Sequence, residues 1–420
     1  MLGCGVVGAA VLRLIDERGE EILRRAGARI EARHVGVRDP DRPRDVPVPA
    51  ARFTGALRAV ATAADVDVVV ELLGGVDPAR ELILEAIRAG KHVVTANKEL
   101  LAAHGRELMA AAAAAGVDLR FEAAVGGGIP LVHPLRESLA ADRVTRLIGI
   151  VNGTTNYILT RMTEDAMSFD AALAEAQALG YAERDPTDDV EGHDAASKCA
   201  ILASLAFDAP VSAGDVYREG ITGVRPEDIE FAARLDHTVK LLAVAELEDD
   251  EIAARVHPAM IPRAHPLAAV RESYNAVFVE AERAGQVMFF GRGAGGDPTA
   301  VAVVGDIMDV ARDIGRGARG PRAVVSTERR VRPIEAMEGQ YYLCLHVADR
   351  PGVLAQVAGE FAVHEVSIKS VWQEGTGEEA LLVLITHRAN EGALRRTVSG
   401  LRKLEAVTEV RSVMRVEGSE

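Results

Sequence analysis

Met1-Leu2-Gly3-Cys4-Gly5-Val6-Val7-Gly8 opens the chain, and residues 9–15 continue it with helical periodicity. Gly3, Gly5 and Gly8 fit the pattern G-x-G-x-x-G, a turn that brings backbone N–H groups and a helix N-terminus up to a pyrophosphate. The pattern alone is weak, so its surroundings decide. Apolar strand patterns follow over 32–37, over 66–73 ahead of Gly74-Gly75, over 92–95 and over 119–124. Helical patterns over 80–89 and 102–115 separate the later ones. Strands alternating with helices indicate a parallel sheet. Residues 1–125 therefore read as a Rossmann-type dinucleotide-binding domain in an α/β fold, with Gly3, Gly5, Val6, Val7 and Gly8 as candidate cofactor contacts.

Only Met1 and Leu2 precede Gly3, whereas such a turn follows a strand of about five residues. The natural chain is expected to begin several residues upstream, and an intact mass from the native source checks this. The end of the second strand faces the adenosine ribose, where an acid suits a free 2′-hydroxyl and arginine suits a 2′-phosphate. The chain has Val37-Arg38-Asp39 there, with Arg42 and Arg44 close behind. Arg38 favours NADP(H), and Asp39 beside it keeps NAD(H) open. These arginines also read as a solvated surface loop.

A length of 420 residues suits two or three domains, and 48% hydrophobic with 26% charged residues is ordinary for a protein that buries real cores. The formal charge is −15 and the basic residues form no block, which argues against nucleic acid as a partner. Three cysteines without CxxC spacing give neither a disulfide framework nor a zinc site. No apolar run reaches the roughly 18 residues of a membrane span, and no leader-like start is present. A cytoplasmic location without membrane contact is expected.

The pattern changes after residue 125. Gly126-Gly127-Gly128-Ile129-Pro130 is a tight loop, 147–151 starts a fresh strand, and Asn152-Gly-Thr-Thr-Asn156 leads a helix. Helices follow over 169–179 and 195–206, and strands over 256–262 and 275–281. A second glycine-rich loop covers 291–296, and a helix runs from Pro298 to about residue 314. Residues 126–315 read as an α+β domain. Residues 316–338 form a linker. Residues 339–417 show a βαββαβ order, with a turn at Asp349-Arg350-Pro351-Gly352-Val353-Leu354 entering its first helix.

Chemistry concentrates in Gly180-Tyr-Ala-Glu183-Arg-Asp185-Pro186-Thr-Asp188-Asp189-Val-Glu-Gly192-His-Asp194-Ala-Ala-Ser-Lys198. Asp194 and Lys198 are four apart and share one helical face. Carboxylates can grip a substrate ammonium while the lysine donates a proton. A solvated acidic loop with an ordinary helix ion pair fits the spacing equally well.

Taken together these segments resemble homoserine dehydrogenase with a C-terminal ACT regulatory domain, across essentially the whole chain. The stretch from Ala176 to Lys198 matches the family's signature at each position. Thr95-Ala-Asn97-Lys98, Glu122-Ala-Ala-Val125-Gly-Gly127-Gly-Ile129-Pro130 and Asn152-Gly-Thr-Thr-Asn156 also agree. The resemblance implies NAD(P)H-dependent interconversion of L-aspartate 4-semialdehyde and L-homoserine, a step towards threonine, isoleucine and methionine. It implies that residues 126–315 serve substrate binding and dimerisation, with 291–315 returning to the cofactor domain. It implies Lys198, Lys98 and Asp194 as catalytic residues, with Lys198 the proton donor, Lys98 near nicotinamide and substrate, Glu183 and Asp194 holding the substrate amino group and orienting the lysine, and Asp189 and Gly180 also at the substrate. Thr95, Asn97, Gly293 and Gly295 would lie at the cofactor. Glu122, Val125, Gly127 and Ile129 resemble the family's monovalent cation site, with sodium as the ion. Asp349, Gly352 and Val353 resemble an ACT effector turn, implying threonine feedback through a homo-oligomer, dimer or tetramer. Two rival readings are a related amino-acid dehydrogenase and a non-catalytic amino-acid sensor.

Overall fold

The computed structural model of the chain describes residues 1–318, 327–375 and 379–418. They fall into two units. One comprises Met1–Leu147, Ser197–Asp215 and Asn275–Arg329, and the other Ile148–Ala196, Val216–Tyr274 and Arg330–Glu420.

In the first unit the strands Val68–Glu71, His92–Thr95 and Leu119–Arg120 run parallel, with Val69 opposite Val93 and Val93 opposite Leu119. Val35–Gly36 pairs in parallel with Phe53–Thr54. Leu2 bridges these two groups, to Glu71 on one side and Gly36 on the other. Leu2 N–H donates to Val70 O, and Gly3 N–H to Gly36 O, so residues 1–3 complete the pairing of the central strand ahead of the turn. Three expected strands are shorter than their apolar patterns, that over 66–73 being regular only at Val68–Glu71. That over 32–37 is regular only at Val35–Gly36. That over 119–124 stops at Arg120, because Glu122 N–H turns to the carboxylate of Asp306 at 2.8 Å.

Helix Gly296–Gly315 belongs to this unit. Val303, Val304, Ile307 and Val310 recur at helical spacing and are all buried, packing with Ala10 and Val11 of helix Val6–Glu17 and with Val94 of the sheet. Full burial of one such side chain contributes about 1.5–3 kcal/mol, so this stripe fixes the helix that carries the turn.

The second unit is built on a hairpin of His237–Glu248 and Glu251–Pro262, turned by Asp249 and Asp250 at φ 50° and 64°. The first strand was not anticipated from the sequence. It is buried on both faces, so no alternation marks it. At the C-terminus, strands Glu338–Ala348, Ile368–Glu374, Glu379–Thr386 and Val407–Val416 enclose helices Val353–Val363 and Glu391–Leu401. The fourth, first, third and second of these strands lie side by side and antiparallel. The fourth also pairs in parallel with the hairpin, Arg415 opposite Ala259. The expected linker lies partly outside the described residues, at 319–326. Its remainder is not loose: Arg330–Val331 pairs with Glu251 and Ile252, and Arg332 reaches Glu248 and Glu251 at 2.9 and 3.1 Å.

Candidate active site

The three glycines of the N-terminal turn differ in what requires them. At Gly3, φ is +96° and a Cβ would lie 2.5 Å from Leu72 O; at Gly8 a Cβ would lie 2.8 Å from Gly3 O. At Gly5 no protein atom lies within 4 Å of such a Cβ. Packing therefore explains the first and third glycines, while the second faces open space where a phosphate backbone can approach. Gly5 caps helix Val6–Glu17, and the side chain of Val6 is 76% exposed. The first amides of that helix have no intrahelical acceptors and point out of its positive end. These residues fit a dinucleotide pyrophosphate.

The second glycine loop reaches the same place. A Cβ on Gly296 would meet Val6 Cγ1 at 2.9 Å, and one on Gly127 would meet Gly293 O at 2.6 Å. Gly128 N–H donates to Arg292 O at 3.2 Å. Gly295, at φ +120°, caps helix Gly296–Gly315. Arg38 is exposed at the end of the second strand, while Arg44 donates to the carbonyls of Asp39 and Arg42 at 2.8 Å each and lies over Phe53. Burial pushes the Cys4 thiol up, against the pull of the Arg44 and Arg13 charges.

Lys98 starts helix Lys98–Ala115, capped by Asn97, whose side chain accepts from Leu100 N–H at 3.1 Å and donates to Gly75 O at 2.6 Å. Thr95, expected at the cofactor, is fully buried. Its hydroxyl donates to Glu71 at 2.6 Å and accepts from Asn97 N–H at 3.1 Å, so its side chain holds the loop rather than facing a ligand. Glu71, equally buried, also accepts Leu73 N–H at 2.7 Å. It ties the two loops of this end together.

The acidic stretch divides by role. Gly180, at φ +77°, ends helix Phe169–Ala178, and the Asp185 carboxylate accepts the Thr187 N–H and hydroxyl, which holds it below the usual carboxylate range. Glu183 and Asp188 are exposed. Thr154 donates to Tyr181 O at 2.7 Å, and the rings of Tyr157 and Tyr181 meet at a tilt of 49° with centroids 5.0 Å apart, which pins the segment. Asp194 and Lys198 lie one turn apart on helix His193–Ala206 and are both buried, at 6% and 8% exposure. Asn152 donates to Asp194 at 2.9 Å and to Asp189 at 2.6 Å.

At the glycine loop the Glu122 carboxylate, expected as a cation ligand, accepts the amides of Leu131, Val132 and His133 at 2.5, 2.9 and 2.7 Å. It caps the helical turn that follows, which removes most of its capacity for an ion. The carbonyls offer more. Gly126 O accepts Ile129 N–H at 2.9 Å, but among the described residues no hydrogen bond ends on the carbonyls of Val125, Gly127 or Ile129. Buried carbonyls left in that state suit a hard cation.

The family model of the homoserine dehydrogenase NAD binding domain matches residues 3–122, and that of homoserine dehydrogenase matches 130–308. Homoserine dehydrogenase of Mycobacterium tuberculosis (strain ATCC 25618 / H37Rv) is 50% identical over 430 residues, covering 100% of this chain and 97% of its own. The chain belongs to the homoserine dehydrogenase family. The crystal structure of a homoserine dehydrogenase from Thiobacillus denitrificans superimposes with a TM-score of 0.94 at 40% identity, over 99% of this chain and 97% of that one. A hyperthermophilic archaeal homoserine dehydrogenase in complex with NADPH aligns with a TM-score of 0.62 at 28% identity, over 74% and 95%. The protein is thus an NAD(P)-dependent oxidoreductase, with an NAD-binding and a catalytic part.

Both homoserine dehydrogenase models end before the C-terminal module. There Gly352, at φ +91°, caps helix Val353–Val363 as the turn requires. Val353 departs from expectation: its side chain is in the module's core and its N–H donates to Arg350 O at 3.4 Å. Asp349 accepts from Gln373 at 3.1 Å. Two buried groups were given no site role by the sequence reading, Glu71 and, although it lies in a motif that agrees with the family, Asn152. An acid closing an otherwise apolar strand was a legible signal for Glu71, whereas the bridging by Asn152 depends on tertiary placement.

Proposed function

We propose that this homoserine dehydrogenase reduces L-aspartate 4-semialdehyde with Lys198 as proton donor. The reading rests on one observation: Asp194 and Lys198 are buried on one face of a helix, with the acid held by Asn152. The bound nicotinamide supplies the hydride. Lys198 then places an ammonium at the carbonyl oxygen as negative charge develops, stabilising and protonating it. Asp194 and Asp189 orient that ammonium and hold the substrate amino group, with Glu183 closing on it from the exposed rim. Lys98 adds positive charge at the start of its helix, beside the cofactor.

The same reading covers the finer features. Exposed Arg38 supports a preference for NADP(H), as does the archaeal relative solved with NADPH, with NAD(H) the second choice. The carbonyls of Val125, Gly127 and Ile129 hold sodium, with Glu122 lending charge. The C-terminal module is an ACT domain that binds threonine at the turn containing Asp349 and Gly352 and works in a homo-oligomer. The three cysteines are free thiols, which suits the cytoplasm, and among the described residues no helix is long and apolar enough to cross a membrane.

One spectrophotometric assay of cofactor oxidation with aspartate semialdehyde tests these assignments. Lys198→Ala should lower kcat by on the order of 10² or more, the range for loss of a general acid, with cofactor affinity nearly intact. Near wild-type turnover would remove Lys198 from the chemistry. In the same assay, indifference to exchanging NADPH for NADH, sodium for a bulky organic cation, or to added threonine would each strike out the matching assignment.

A further inference from the structure

Asn152, 4% exposed, caps helix Gly153–Glu164 with its side-chain oxygen, which accepts Thr155 N–H at 2.8 Å and the Thr155 hydroxyl at 2.9 Å. These bonds fix which end of the amide is which, because the oxygen can only accept and the nitrogen only donate. The nitrogen faces the other way, giving one N–H to Asp189 Oδ1 at 2.6 Å and one to Asp194 Oδ2 at 2.9 Å. A single neutral amide thus spans two carboxylates.

Two carboxylates this close repel, and proton uptake by one of them relieves the repulsion. A donor shared between them opposes that uptake, since hydrogen bonds to the charged form favour it. Capping alone does not account for the arrangement, since serine or aspartate supplies a capping oxygen equally well. Only an amide both caps the helix and donates twice.

We propose that Asn152 is a positioning residue for the reaction, keeping Asp189 and Asp194 ionised and at fixed separation so that Lys198 and the substrate ammonium meet a full negative charge. This inference rests on the reading of Asp194 and Lys198 as acting groups.

Asn152→Ser and Asn152→Asp test it, because both keep a capping oxygen and lose the amide N–H pair that spans the two carboxylates: serine keeps one hydroxyl donor at most, and aspartate has none and adds a third negative charge. Each should lower kcat/KM for aspartate semialdehyde about tenfold or more, the size of one charge-assisted hydrogen bond. The acidic limb of the kcat/KM profile should move to higher pH, while NADPH binding, followed by its fluorescence, shows the fold intact. A profile unmoved in both variants, with only Tm lowered, would reduce Asn152 to a helix cap and overturn the proposal. Lys198→Ala measured alongside separates the two ideas. If it retains turnover, the reading of the site fails; if it loses turnover while the Asn152 variants do not, only the positioning role fails.

Discussion

Asp306 shows how a single residue's surroundings translate into a measurable property of the fold. Burial, with the charges of Glu122 and Asp309, pushes its carboxyl up to about 7, against the Glu122 N–H it accepts and the nearby Arg120. The folded state therefore keeps a proton that the unfolded chain loses near its ordinary value of 3.8. Between these values the native state binds more protons, so this group's contribution to stability falls as pH rises through the window and is flat above it. Asp306→Asn keeps an acceptor for Glu122 N–H and removes the titration. Its Tm should exceed wild type by a few degrees near pH 8, and the gap should narrow towards pH 5. A gap that stays constant across that range, followed by calorimetry, would show that Asp306 does not titrate as argued. The helical spacing places Asp306 on the buried face with Val303 and Val310, but the size of its shift depends on burial against residues far along the chain, Glu122 among them, which no local pattern shows. Asp194 and Lys198 were legible, since four-residue spacing on a helix is a local property.

At the level of elements, the N-terminal turn separates what the fold needs from what the ligand needs. Gly3 and Gly8 are held to glycine by Leu72 O and Gly3 O, whereas Gly5 has φ −85° and no protein atom near its missing Cβ. Gly5→Ala should leave Tm unchanged or slightly raised, since alanine restricts the unfolded chain by about 0.4–1 kcal/mol. It should weaken NADPH binding at least about tenfold, because the added methyl fills the space for the pyrophosphate. Gly3→Ala, in contrast, should lower Tm first. Equal NADPH affinity in Gly5→Ala and wild type, measured by titration, would place the phosphates elsewhere. The turn and its helix were readable because their periodicity is local. The strand His237–Glu248 was not, since burial on both faces erases alternation, and the pairing of Arg330–Val331 with Glu251 and Ile252 leaves no mark in a stretch rich in arginine and proline.

Across the molecule, the C-terminal module is joined to the hairpin of its own unit by more than one strand pairing. Arg255, on the hairpin, lies between Glu246 at 2.7 Å and Glu417 at 2.8 Å, and Arg415 lies between Glu219 at 3.1 Å and Glu391 at 2.8 Å. Tyr341 adds its hydroxyl to Glu391 at 2.7 Å. Burial and the Arg415 charge hold His257, fully enclosed beside them, below the usual imidazole range, so the network's positive charge comes from arginine. Buried pairs of this kind add little net stability when intact, but removing one partner leaves an uncompensated charge that costs about 3–5 kcal/mol. Glu417→Gln leaves Arg255 paired with Glu246, so it should lower the denaturant midpoint by only part of that cost while KM values for semialdehyde and NADPH stay near wild type. Removing all residues after 332 is more severe. It takes away Glu391, Arg415 and Glu417 together, and it bares the edge of the strand Glu251–Pro262, where Val407–Val416 had paired. Such a truncated chain should aggregate, so comparing it with the full chain in the presence of threonine would not test the turn at Asp349 and Gly352. Size-exclusion chromatography decides the matter: a truncated protein that stays monodisperse with a wild-type Tm would mean that the hairpin stands without its partner, and that the buried arginine network is incidental to the fold.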